Sequence, residues 1–520
     1  MRTLSGLVVV GLTLSAGVAL AEPDPTGGVG GAKGPTTPSP DAAGTSTAPG
    51  VVVVGAPKGG GDGDAKLSVH GYLRAPLRIG TTTREAPLDN QTNRSIHTPR
   101  LPDDQYLNWN YTRAWEKDWA ELFVTYGTAR ASGTIVFQAF NFTDAGYNNA
   151  DAQFGIGQGF LTFLQNLGVA GLRVGVKVGS FWNRYGMAGK YDAGRYDTYL
   201  FGRTHAMGEV IALEYDVSDV TLRLSHGIGA RAEQGNCSGG AGCNFLASPN
   251  GYTLLNHAHG GVSYKQLFTF NAHYLGSWSQ DEGAGVKKDR PDGTMSVFGA
   301  EALLDAGIGG RLYAGFSRIH AVRANAVGPV IEVIHAYGGG YYGLGVADQF
   351  LGPKSDNGTG DVDTVMVQYD YSIGLLARKL KNPDAQFYGD GSDIVLGLFA
   401  MHTRVKSVDS EYDGMKKTKF GADVLWTPVP WFGLGARVDR VNPGKLANEK
   451  LASGDPVGEE DNTFTVISPR VLLRSKFLSR EEVTIQYSRY VYGANVKPVA
   501  PLDKLGTDKN VFGIKATMWW

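Results

Sequence analysis

From about Leu67 to the end of the chain, apolar and polar residues alternate with period two, in runs broken by Gly-, Pro-, Asn- and Asp-bearing connections. Period two sends successive side chains to opposite faces, so each run predicts a half-apolar strand. The last run is the cleanest. Phe512, Ile514, Ala516, Met518 and Trp520 share one face, and Gly513, Lys515, Thr517 and Trp519 share the other. The first run sets Leu67, Val69, Gly71, Leu73, Ala75, Leu77 and Ile79 against His70, Tyr72, Arg74, Pro76 and Arg78. Pro76 lacks an N–H donor and predicts a weak point near that strand's end. Between these two, Leu172, Val174, Val176 and Val178 oppose Arg173, Gly175, Lys177 and Gly179, and Phe432, Leu434, Ala436 and Val438 oppose Arg437 and Asp439.

A soluble domain rarely ends on its most apolar strand, because chain termini fray at the surface. A barrel in a bilayer must end on a paired strand, since an open edge in hydrocarbon leaves N–H and C=O groups unsatisfied. The expected fold is therefore all-β, a transmembrane antiparallel β-barrel closed by its last strand, with Trp520 in an interfacial aromatic girdle. Connections support this. Short ones (Thr128–Gly133, Gln165–Gly171, Asp216–Asp219, Tyr264–Leu267, Asp305–Gly310, Thr427–Pro430, Leu478–Glu481) alternate with longer ones such as Thr81–Trp115, Ser180–Met207, Ala321–Asp361 and Asn442–Asp461. Short periplasmic turns and long extracellular loops mark an outer-membrane barrel. Such barrels have even strand numbers, which sets the count at about eighteen, or sixteen if a weak strand within Gly133–Phe163 is dropped. Gln105–Tyr111 is then part of the first long loop, and both termini are periplasmic.

Composition narrows the class further. A 42% hydrophobic content is low for a helical membrane protein and suits a barrel in which alternate residues face lipid. A net charge of -1 gives no reason to expect nucleic acid as a partner. Residues 1–21 read as a signal peptide, with Arg2, an apolar Leu7–Leu14 core and Ala19-Leu20-Ala21 before Glu22. Residues 22–64, rich in Gly, Pro, Ser and Thr, read as a flexible periplasmic tether, and 65–520 as the barrel. No later stretch approaches about eighteen uninterrupted apolar residues, so no helical span is expected. Export places the chain in the outer membrane of a Gram-negative bacterium. In that setting Cys237 and Cys243 read as a disulfide closing a small loop.

A barrel of this size has room for a water-filled lumen. Its inward rows carry Arg74, Arg78, Arg173, Lys177, Arg223, Arg437 and Lys515 with Asp439, a basic excess that predicts a mild anion preference. The run Ser180–Tyr199, with Trp182, Arg184 and Tyr185, is the densest mixture of aromatic and basic residues, expected to fold inward as a constriction, the alternative being an extracellular loop with interfacial aromatics. Passive diffusion of small hydrophilic solutes, without cofactor, is the function these features predict. His257 and His259 share one strand face and hint at an acid–base or metal pair, but no third ligand or nucleophile motif accompanies them, which argues against an enzyme. A gated transporter would need a folded plug before the barrel, and 22–64 is too short for one. A structural or adhesion barrel is the remaining alternative.

The two ends add a family. His70-Gly71-Tyr72-Leu73-Arg74 and Phe512-Gly513-Ile-Lys-Ala-Thr-Met-Trp519-Trp520 resemble the first and last strands of maltoporins. That resemblance implies an eighteen-stranded, homotrimeric, sugar-specific porin. It further implies that Tyr72 and Trp519 belong to an aromatic track for sugar rings, with Arg74 donating to hydroxyls. If sugar specificity is absent, a general or anion-preferring porin is what the rest of the chain predicts.

Overall fold

Each alternating run becomes a strand, and every strand of the wall finds a partner on both sides. The computed structural model describes residues 65–80, 119–128, 130–140, 153–184, 203–232, 252–265, 267–280, 294–305, 310–322, 331–332, 359–374, 393–408, 410, 413–442, 444–445, 447–451, 453–475, 477, 480–493 and 510–519. In chain order the strands are β1 (Lys66–Gly80), β2 (Trp119–Gly127), β3 (Ala131–Phe140), β4 (Gln153–Asn166), β5 (Leu172–Arg184), β6 (Arg203–Val217), β7 (Val220–Ala232), β8 (Tyr252–Tyr264) and β9 (Phe268–Gln280). They continue as β10 (Thr294–Asp305), β11 (Gly310–Val322), β12 (Ile331–Glu332), β13 (Gly360–Ser372), β14 (Asp393–Ser407), β15 (Lys416–Val429), β16 (Phe432–Asn442), β17 (Phe464–Ser475), β18 (Arg480–Tyr492) and β19 (Asn510–Trp519).

Of these nineteen strands the two-residue β12 stands outside the wall, which leaves eighteen. Each wall strand pairs antiparallel with its neighbour in sequence, β11 pairs with β13, and β19 pairs with β1 to close the ring. The closing ladder runs from Tyr72↔Trp519 to Gly80↔Val511. Pro76 lies within that ladder, opposite Lys515, and the strand continues past it to Gly80. Both strands from the doubtful region, β3 and β4, are part of the wall. No helix among the described residues is long and apolar enough to cross a membrane, which says nothing of strands.

Burial is inverted relative to a soluble protein. Among the buried residues are Arg74, Lys177, Glu214, Arg223, Lys419, Arg437 and Asp439, while Leu224 (60% exposed), Phe420 (47%) and Trp426 (46%) stand in the open. In β11 the two classes alternate residue by residue: Arg311, Tyr313, Ser317 and Ile319 are buried, and Leu312 and Phe316 are exposed. The concave face of a closed barrel is screened and the convex face is open, so the polar rows line the lumen and the apolar rows face outward. An apolar exterior of this kind belongs in hydrocarbon, and the barrel stands in the outer membrane.

The side of the short turns is tied tightly. β6 and β7 are joined by Ser218 and Asp219, with Ser218 at φ 54. Lys265, in the next turn, reaches Asp219 at 3.2 Å, and that carboxylate raises the lysine's pKa above its usual value. Gly171, at φ +80, closes the β4–β5 turn, and its carbonyl accepts from the Asp216 amide. The stretch Thr427–Pro430, expected as a turn, is mostly strand. β15 runs to Val429, and the register shift between Trp426 and Val429 takes up Pro428, which has no N–H to give a regular ladder. Residues 1–64, Gln105–Tyr111, Cys237, Cys243 and Trp520 lie outside the described residues.

Candidate functional site: the barrel lumen

The lumen face is built from ion pairs that join neighbouring strands. On β5–β8 the Arg173 guanidinium contacts both Glu214 and Asp216. Glu214 also accepts from Arg223 Nε at 2.9 Å, and Arg223 Nη1 donates to Ser263 Oγ at 2.8 Å. The register explains the grouping, since Arg173↔Glu214 and Glu214↔Arg223 are directly opposed across two ladders. A second group spans β14–β17. Arg437 donates to Asp439 at 2.9 Å, Arg470 donates to Asp423 at 2.7 Å, and the Arg437 guanidinium and Lys419 ammonium lie over the Phe399 ring at 5.8 and 5.6 Å. Between β9 and β11, Glu301 accepts from Asn271 and from the Tyr313 hydroxyl.

Local neutralisation is the consequence. Arg173, Arg223 and Arg437 each sit against a carboxylate, so these members of the expected basic excess bring their own counter-charge. A charge compensated at hydrogen-bond distance projects little field into the pore. The sequence shows the cations plainly and puts Asp439 beside Arg437 on one strand, but the partners of Arg173 and Arg223 come from another strand.

An apolar patch on the lumen side, across β2–β6, has no counterpart in the sequence reading. Val136, Phe160, Phe181 and Val210 pack together with Phe123 against them. Lys177 lays its ammonium over the rings of Phe160 (3.8 Å) and Phe181 (4.4 Å), and His70 stacks on Phe123 at 4.7 Å. Gly179 makes room, since a Cβ there would fall 2.4 Å from the Gly159 carbonyl oxygen and 3.0 Å from Phe160 Cβ. The signal was present in the alternation: Phe160 and Phe181 share the polar parity of their strands, where an aromatic is out of place.

The expected site residues separate as follows. Tyr72, Arg74, Lys177, Arg437 and Lys515 are on the buried lumen rows, and Arg173 is half-buried there. Trp519 is opposite Tyr72 in register, and Arg78 opposite Gly513. The Ser180–Tyr199 constriction is corrected in its first part. β5 continues to Arg184, so Trp182 and Arg184 belong to the wall, opposite His205 and Arg203. The backbone hydrogen bonds of β6 hold this segment extended. Tyr185 lies outside the described residues. His257 and His259 face the lumen beside His273, which is opposite His259, but no His/Cys/Asp/Glu group among the described residues has the geometry to hold a metal ion.

One connection reaches away from its own strands. β12, between β11 and β13, pairs with β6 through Ile331↔Thr204 and Glu332↔Arg203. In the wall β6 and β11 are separated by β7, β8, β9 and β10, so β12 pairs with a strand that is not a neighbour of β11 or β13.

Several solved structures align with most of the chain. The chain is similar to OccK3 (OpdO) of Pseudomonas aeruginosa, at 9% identity and a TM-score of 0.37 over 88% of this chain and 95% of that one. It is similar to the trimer form of OmpT, an outer membrane protein of Vibrio cholerae, at 11% identity and 0.39 over 88% and 99%. OprD of P. aeruginosa matches at 9% identity and 0.37 over 88% and 94%. At such identities the likeness says nothing of solute. No protein-family model matches the chain, and no curated protein does.

Proposed function

We propose that this chain is a passive outer-membrane porin for small hydrophilic solutes, with weak ionic selectivity. One observation carries the reading: a closed eighteen-strand wall keeps its polar and charged rows inside and its apolar rows outside. A barrel serving only as an anchor has no need of ion pairs such as Arg173–Glu214–Arg223 along its inner face. Residues 1–21 as an export signal, 22–64 as a periplasmic tether and a Cys237–Cys243 bridge belong to the same proposal. The test is conductance of the folded, full-length chain in planar bilayers, with liposome swelling in uncharged solutes. Steady channels with a reversal potential near zero in a salt gradient are expected. A folded, inserted barrel that passes neither ions nor sugars would overturn the proposal in favour of a structural or adhesion barrel.

A carbohydrate-specific reading, with a homotrimer, rests on the Tyr72–Trp519 register and Arg74 two residues along. Stacking and hydrogen bonding to a sugar would contribute on the order of 1 kcal/mol each. Tyr72 is only 2% exposed and Arg74 5%, so a sugar reaches them only when the groups covering them move aside. This reading expects maltooligosaccharides to block the ion current, and Trp519→Ala to weaken that block several-fold. An unblocked wild-type current leaves the general porin standing alone.

A further inference from the structure

On β11 and β13–β16 the outward rows turn from apolar to charged toward the long-loop side. Phe316 and Val365 are opposed and exposed, and two residues nearer the long-loop side the opposed pair is Arg318↔Asp363. The same level is continued by Asp363↔Arg404 and Arg404↔Lys416. Lys406 lies just above on β14, and Arg440 on β16 is opposite Phe420. Arg318 and Arg440 are 44% and 43% exposed, and Arg404, Lys406 and Lys416 are exposed as well.

Charge on this patch is unbalanced. Arg318 holds Asp363 through two hydrogen bonds of 2.6 and 2.8 Å, and Arg440 holds Glu460. Arg404, Lys406 and Lys416 form no ion pair among the described residues. The patch differs in this from the lumen, where cations such as Arg223 and Arg437 are matched.

Its position restricts what can bind. The convex outer wall touches membrane, and nearer the short turns stand Phe316, Val365, Phe420 and Val438, all exposed and apolar, with His402 and Thr418 lying between Phe420 and the Arg404–Lys416 pair. A molecule meeting both levels has acyl chains below and an anionic head above. Guanidinium and ammonium groups suit phosphate, the former through a two-pronged hydrogen bond. We infer that the outer wall of β11–β16 at the long-loop end binds the phosphate groups of the outer leaflet's phosphorylated glycolipid, with Arg404, Lys406 and Lys416 as the principal donors. This goes beyond the porin reading and needs only that the barrel stand in the outer membrane.

The experiment uses the full-length chain, folded in detergent and titrated with purified lipopolysaccharide and with the same lipid after enzymatic removal of its phosphates. The variant is R404S/K406S/K416S, and heat-modifiable gel mobility reports its fold. A loss of affinity of at least ten-fold is expected for the phosphorylated lipid, with no difference for the dephosphorylated one and unchanged single-channel conductance. The conservative R404K/K406R/K416R variant is expected to bind as wild type, and K406E alone to weaken binding if the triple variant does not fold. Equal binding by wild type and the serine or K406E variant overturns the inference. So does an equal loss for both lipids, or a serine variant whose oligomer dissociates without lipid, which would assign the face to a second copy of the chain.

Discussion

Tyr72, in the first strand, is directly opposite Trp519, one residue from the end of the chain, and this pair ends the ladder that makes the barrel a ring. Below it β1 continues to Lys66 with β2 alone as partner, so the ring closes with a stagger. On its other side Trp519 pairs with Arg480 of β18. The first strand, the last strand and the one before it thus meet across three adjacent rows, and a chain lacking its final residues would present an open edge to lipid.

Removing 517–520 deletes the pairs Arg74↔Thr517, Leu73↔Met518 and Tyr72↔Trp519. Unsatisfied backbone groups in hydrocarbon cost several kcal/mol each, so the truncated chain is expected not to insert. Unheated gel mobility and protease resistance of membrane fractions check this. A protease-resistant, heat-modifiable truncated barrel would show that closure does not depend on this ladder.

Arg437 and Asp439 are buried together, at 1% and 0% exposure. Breaking a buried pair by removing one partner costs about 3 kcal/mol or more, because the other charge stays behind. Arg437→Met and Asp439→Asn should each lower stability by about that amount, and the double variant by clearly less than their sum. Urea unfolding of the barrel in lipid gives the cycle, and simple additivity would mean that the two residues do not act as a pair.

Glu214 sits between Arg173 and Arg223. Glu214→Gln leaves the shape nearly unchanged and releases one unit of positive charge on the lumen wall. The reversal potential in a salt gradient should move toward anion selectivity, whereas Arg223→Gln should move it toward cations. Identical potentials in both variants would place this cluster outside the ion path.

Gly171 and Gly168 offer a matched pair of substitutions in one turn. Both have positive φ, +80 and +77, but a Cβ at Gly171 would fall 2.3 Å from the Asp216 carbonyl oxygen while one at Gly168 meets nothing within 4 Å. Gly168→Ala should cost about 1–2 kcal/mol, the price of a left-handed conformation alone. Gly171→Ala should cost more, since the turn must also yield to the clash. Chemical denaturation of the two variants ranks them, and equal costs would remove the steric argument.

Much of this molecule was written in its alternation. A strand with period two has only two faces, and a membrane forces one of them to be apolar. That is why Lys177 and Val178, or Arg437 and Val438, fall on opposite faces by position alone, whereas the evenness of the wall rests on the rule that such barrels have even strand numbers. Where alternation fails locally the sequence misleads. Ser180–Arg184 is rich in aromatic and polar residues and reads as loop, yet its backbone is held extended by β6. The tertiary structure alone decided which residues of different strands face each other. Glu214 answers Arg173 and Arg223, and the rings of Phe160 and Phe181 receive Lys177, because ladder register sets distances of a few ångströms between residues far apart in the chain. A period of two determines the face on which a charge stands. It carries no information on which charge stands beside it, and Coulomb energy at such distances depends on that neighbour.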